Sequence, residues 1–138
     1  MSRITVWFIK CAMIYFLAAI LLGLHMSSAG TLYPYKPIHA HLNLLGWMSM
    51  MIYGVAYHIL PRFSGRPLWS NRLAEAHFWL ANIGLIGMGA GWVIKYTNDS
   101  QVALTLFSFV EGLAVLFFVI NMFKTVKATP PPAKPKPA

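Results

Sequence analysis

A chain of 138 residues that is 58% hydrophobic and only 10% charged, with a mean hydropathy of +0.61, lacks the charge that covers a water-soluble domain. Eleven Lys and Arg against three Asp and Glu leave a formal charge of +8. Four long apolar stretches leave no soluble body for nucleic-acid binding, so this basic excess reads as membrane topology and lipid contact. The single cysteine, Cys11, excludes an intrachain disulfide and a thiolate metal cluster, so redox chemistry requires a borrowed cofactor.

A spanning helix takes about 20 mostly apolar residues at roughly 1.5 Å per residue. Segments at about 4–25, 38–60, 74–95 and 101–123 meet that requirement and predict an all-α, four-helix transmembrane bundle over residues 1–128. The connections are short and carry Ser27, Ser28, Gly30, Pro34, Pro37, Pro61, Gly65, Pro67, Asn98 and Ser100, with no room for a soluble domain. Residues 2–30 admit a second reading as a secretory signal peptide, with Arg3 and Lys10 before an apolar run and Ser27–Gly30 as its exit. Retained as a helix, the segment leaves Lys10 about a third of the way in, where it snorkels outward or pairs with an acid.

Arg3, Lys10, Arg62, Arg66, Arg72, Lys124, Lys127, Lys134 and Lys136 fall on one face, and Lys36 and Lys95 on the other. The positive-inside rule then places both termini in the cytoplasm. Tyr33, Tyr35, Trp92 and Tyr96 lie near the outer boundary and Trp7, Phe63 and Trp69 near the inner one, as an aromatic belt. Residues 129–138, TPPPAKPKPA, are too rich in proline to prolong the last helix and read as a disordered basic tail.

Five histidines among three acids are the main chemical feature. His25 ends the first helix, and His39 and His41 begin the second at the same outer level. His58 and His77 form a smaller group at the inner side. His41 and His58 are 17 residues apart, about 25 Å along a helix, so the two groups do not share one metal. Each histidine also has a plainer reading, as a boundary residue bonded to headgroup, water or carbonyl. Two residues on a helix span about 200°, so His39 and His41 leave on nearly opposite faces and serve two different neighbours.

Zinc asks for three or four ligands, and the outer face offers no acid near its histidines except Asp99. Haem asks for one or two axial ligands and an apolar slot between helices. Gly84, Gly87, Gly89, Ala90 and Gly91 on the third helix and Gly46 and Gly54 on the second would make such a slot, or else pack helices through Gly87-x-x-x-Gly91. Arg62, Arg66 and Arg72 suit lipid phosphate, or haem propionates if the haem lay at the inner face. Glu111 falls near the middle of the fourth span, where it must be paired, hydrogen-bonded or protonated. Lys10, Asn82 and Asn121 are its candidate partners, and a proton relay or quinone contact its functional reading.

The stretches His39-Ala-His41-Leu-Asn-Leu-Leu-Gly46-Trp47, Ile52-Tyr53-Gly54-Val-Ala-Tyr57-His58-Ile-Leu-Pro61-Arg62 and Ala76-His77-Phe78-Trp79-Leu80-Ala81-Asn82-Ile83-Gly84 resemble haem-copper oxidase catalytic subunits. The likeness is greatest to the tenth and eleventh helices of the C-type oxidases and nitric oxide reductases, and covers roughly residues 38–92. It implies that His39 takes the place of the high-spin haem ligand and His41 that of the low-spin haem ligand. The family's core has twelve helices in three arcs of four, and this sequence resembles one arc without the copper-binding histidines or the crosslinked tyrosine. Oxygen reduction by a single such chain is therefore not expected.

The resemblance implies a membrane-bound b-type cytochrome of the bacterial inner membrane, with haem b held by His39 and His41 for electron transfer or diatomic gas binding. As a homo-oligomer, a trimer would pair His41 of one chain with His39 of the next. A two-fold dimer would pair equivalent histidines, with His25 available as a second ligand. A quinone or a cytochrome would be the redox partner and membrane lipid the surroundings. The alternatives are an accessory protein handling haem or copper, using the outer histidines and methionines such as Met48, Met50 and Met51 as soft ligands, or a structural subunit without cofactor.

Overall fold

The structure is a computed structural model and describes residues 1–128; the expected tail at 129–138 lies outside the described residues. Four helices, α1 (Arg3–Ala29), α2 (Tyr35–Phe63), α3 (Asn71–Asn98) and α4 (Val102–Thr125), are long and apolar enough to cross a membrane. Most run a few residues beyond the apolar windows, and polar caps set the starts of α1 and α3. Ser2 Oγ accepts from Thr5 N and Ser70 Oγ from Leu73 N, each satisfying a first-turn N–H that the helix leaves free. Gly30 (φ 64°) ends α1 and Asp99 (φ 53°) ends α3, both left-handed as helix stops commonly are.

α2 is not uniform. An α-helical opening, Tyr35–His41, passes into a π-helical stretch, Leu42–Ser49, before the α-helix resumes at Met50. Ser49 Oγ donates to Leu44 O at 2.9 Å within this wider coil. Hydrophobic periodicity carries no mark of the extra residue per turn, and wide turns of this kind are frequent at functional sites.

The helices pack as two hairpins through small residues, because lipid removes the hydrophobic drive between helices and leaves close packing to hold them. α1 meets α2 where Gly46 lies under Tyr15, and Gly54 under Phe8 and Ile9. α3 and α4 form the tightest seam, with Gly84 against Glu111, Gly87 against the Phe107 ring and Gly91 against the backbone of Leu104. The hairpins join in a core of Phe8, Met50, Tyr53, Tyr57, Phe78 and Met122. Ser70 N donates to Asn121 Oδ1 (3.1 Å), Asn121 Nδ2 donates to Ser70 O (2.8 Å), and Trp69 N donates to Thr125 Oγ1 (3.0 Å), tying the α2–α3 connection to the end of α4. Leu17 and Leu21 on α1 and Leu106, Phe109 and Leu116 on α4 face outward, a surface suited to lipid.

Candidate functional site

His39 and His41 close the α-helical opening of α2, one residue before the coil widens. They do leave on opposite faces. His39 is seated against α1: its Nδ1 donates to Ala19 O at 3.0 Å, and its ring covers Gly23, where a Cβ would come within 3.0 Å of Cε1. Asn43, four residues on, donates from Nδ2 to His39 Nε2 (3.3 Å) and to His39 O (2.9 Å). His41 faces α3 instead and lines a groove of about 410 Å³ with Ile38, Leu85, Gly89, Ala90 and Trp92. Its Nδ1 lies 2.7 Å from Pro37 O. A carbonyl only accepts, so Nδ1 carries the hydrogen and Nε2 keeps its lone pair, the tautomer a metal ligand needs.

The glycines divide between the two roles. Gly84, Gly87 and Gly91 are spent on the α3–α4 seam, so the Gly87-x-x-x-Gly91 pattern packs helices. Gly89 and Ala90 line the groove beside His41, and the nearest atom to a Cβ at Gly89 is Ile38 Cγ2, at 4.0 Å. This half of the glycine run shapes an apolar slot. Trp92, read above as a belt residue, borders the same groove with its ring 6.3 Å from His41. Asn43 and the Pro37 carbonyl escaped the sequence reading; the i+4 spacing from His39 was the available signal for Asn43.

The remaining candidates do not join this site. His25 is exposed at the end of α1 and packs edge-on against Tyr35, ring centroids 5.3 Å apart. His58 accepts at Nε2 from Arg62 Nη1 at 2.6 Å, one turn further along α2. His77 is wholly buried, so the expected inner group separates: His58 lies at the rim and His77 in the core. Among the described residues no three His, Cys, Asp or Glu side chains converge as a metal site. Met50 is buried in the core and Met48 faces outward, so these two methionines pack or meet lipid.

Phe8, Tyr53, Tyr57 and Phe118 surround His77 at ring distances of 4.6–5.8 Å. Its Nδ1 bonds the Tyr57 hydroxyl at 2.9 Å, and its Nε2 is buried without a partner. His77→Phe should cost ~1–3 kcal/mol by stranding the Tyr57 hydroxyl. Adding Tyr57→Phe should restore stability, as thermal unfolding of the single and double variants will show. Glu111 packs on Gly84 and leaves Oε2 without a partner. Its three expected partners are engaged or turned away: Asn82 accepts from Tyr15 Oη (2.7 Å) and donates to Phe78 O, Asn121 holds Ser70, and Lys10 is exposed.

Length, hydropathy and helix packing define a multi-pass α-helical membrane protein, with a His-x-His helix beside an apolar groove. The family model for cytochrome C and quinol oxidase polypeptide I matches residues 34–97, a little under half the chain and the segment that contains α2 and most of α3. Through this segment the chain is related to haem-copper oxidase subunit I. A cytochrome c oxidase subunit 1 homolog of Agrobacterium tumefaciens is 38% identical over 88 residues, 57% of this chain and 16% of the relative. The Cbb3-type cytochrome c oxidase subunit CcoN1 of Stutzerimonas stutzeri is 36% identical over 96 residues, 61% of this chain and 20% of that protein. Cytochrome c oxidase subunit 1 of Rhodobacter capsulatus is 45% identical over 49 residues, 35% of this chain and 9% of that protein. The matched region thus spans a fifth or less of these relatives. No solved structure matches.

Proposed function

We propose that this protein is a membrane-bound b-type cytochrome built on one arc of the oxidase plan, with His41 as the axial ligand of a haem in the α2–α3 groove. The observation that carries this reading is the state of His41: Nδ1 is committed to Pro37 O, Nε2 keeps its lone pair, and the side chain lines an apolar groove opened by Gly89 and Ala90. A haem bound there supplies a one-electron ferric/ferrous couple. The chain's part would be to fix the imidazole with the Pro37 carbonyl, exclude water with Leu85, Ile86 and Trp92, and leave room for the porphyrin beside Gly89.

His39 fits less directly, because Asn43 and the Ala19 carbonyl hold both its nitrogens. As the second axial ligand, reaching a haem shared with a neighbouring copy, it must first release Asn43; a cyclic homo-oligomer supplies that neighbour. Two histidine ligands make an electron carrier, and one leaves a coordination position for a diatomic gas. The same reading places both termini in the cytoplasm of a bacterial inner membrane and takes a quinone or a cytochrome as redox partner.

Optical spectra of the detergent-purified protein, oxidised and dithionite-reduced, with pyridine haemochrome quantification, test the reading. Haem is expected in the wild type and absent in His41→Ala. His39→Ala should retain haem but gain a carbon monoxide shift if His39 is the second ligand. A folded, haem-supplied protein that purifies colourless would refute the proposal.

A further inference from the structure

Where α1 and α3 begin, a second pocket of about 280 Å³ opens between the hairpins, lined by Ser2, Tyr57, His58, Arg62, Leu68 and Asn71 among others. It lies at the opposite end of α2 from His41. Ser2 and Asn71 stand at the heads of α1 and α3, so two helix N-termini border it, each with partial positive charge and N–H groups lacking intrahelical acceptors. Ser2 and Ser70 satisfy the N–H groups of Thr5, Val6, Leu73 and Ala74. Those of Arg3, Ile4, Asn71 and Arg72 come earlier in each helix and are the ones a first turn offers to an outside acceptor.

The side chains add to the same field. Arg62 spends one N–H on His58 Nε2 at 2.6 Å and keeps the rest of its five-donor fork. Because His58 Nε2 accepts, its Nδ1 carries the hydrogen and is a further donor. No acidic side chain lines this pocket. Tyr57, Pro61, Pro67 and Leu68 form its apolar side, and the neighbouring Phe63 and Trp69 are 78% and 54% exposed, as aromatic residues are at a membrane interface.

We propose that this pocket binds the phosphate of an anionic phospholipid, with Arg62 and the His58 Nδ1–H as donors, the two helix N-termini as supporting field, and the apolar side against the start of the acyl chains. A phosphate accepts several donors at once, and guanidinium geometry suits it. Free inorganic phosphate shares this chemistry but has no use for the apolar side. The occupant is a lipid because the pocket opens at the level of the interfacial aromatics.

The test uses delipidated, detergent-purified protein in mixed micelles with dioleoylphosphatidylglycerol, with dioleoylphosphatidylcholine and sodium phosphate as comparisons. Thermal unfolding midpoints and adducts in native mass spectra are the readouts. Phosphatidylglycerol should raise the midpoint and leave one retained adduct, while phosphatidylcholine and phosphate do neither. Arg62→Gln should weaken the response about tenfold, within the range for a charged hydrogen bond, and Arg66→Gln, exposed and outside the pocket, should leave it intact. If Arg62→Gln does not fold, His58→Phe reads the same site. Phosphate acting as strongly as phosphatidylglycerol would overturn the lipid assignment in favour of a free anion. Equal responses to both lipids, or undiminished binding in both variants, would overturn the site itself.

Discussion

Replacing Gly91 with valine is expected to separate α3 from α4 and to cost about 3 kcal/mol or more, the upper range for forcing atoms into a packed interior. Even the first added carbon meets backbone: a Cβ at Gly91 would stand 2.7 Å from both Cα and N of Leu104. Backbone cannot rotate aside as a side chain does, so the helices must part over a full turn. The effect should be large because these hairpins stay together in lipid by close contact and have no water-driven burial to fall back on. Gly89→Ala is the internal control, since its Cβ has 4.0 Å to the nearest atom. Thermal unfolding followed by size exclusion should show Gly91→Val lost well below the wild-type midpoint and Gly89→Ala unchanged. Equal stability of the two would show that the α3–α4 seam does not hold the bundle.

A phenylalanine at Gly89 is expected to abolish haem binding while leaving the bundle folded. The position lies beside His41 on the groove wall, and the space over it is the space proposed for the porphyrin edge. Unlike His41→Ala, this variant keeps the ligand and removes only the room, so it separates the slot from the coordinate bond. Haem content at limiting haem should fall at least about tenfold, equivalent to ~1.4 kcal/mol, with the unfolding midpoint of the haem-free protein retained. Full haem content in Gly89→Phe would move the cofactor out of the α2–α3 groove.

Much of this was legible because membrane insertion acts on residue type over about 20 positions, a property of sequence alone. The four spans appear where hydropathy places them, and the first and third begin a few residues earlier because the Ser2 and Ser70 side chains, not apolar content, cap those ends. The divergence of His39 and His41 was equally legible, since 200° of rotation follows from helical pitch. The likeness to oxidase subunits was carried by ordered motifs in α2 and α3, and the family match falls on that segment.

Other features depend on which surfaces meet. Nothing in the spacing of Gly84, Gly87, Gly89 and Gly91 says that three of them close on α4 and one opens beside His41; that division is set by the rotation of α3 against its neighbours. Glu111 and His77 read as members of functional groups, yet packing isolates one on Gly84 and encloses the other in aromatic rings. The π-helical turn of α2 likewise has no periodic signature, because it trades one hydrogen-bond register for another without changing composition. Sequence by itself determined that the chain forms four helices long and apolar enough to cross a membrane and presents histidines to two different faces. Tertiary structure alone decided that His41 meets a groove while His39 is held on α1, because a side chain's reach is local but its neighbour belongs to another part of the chain.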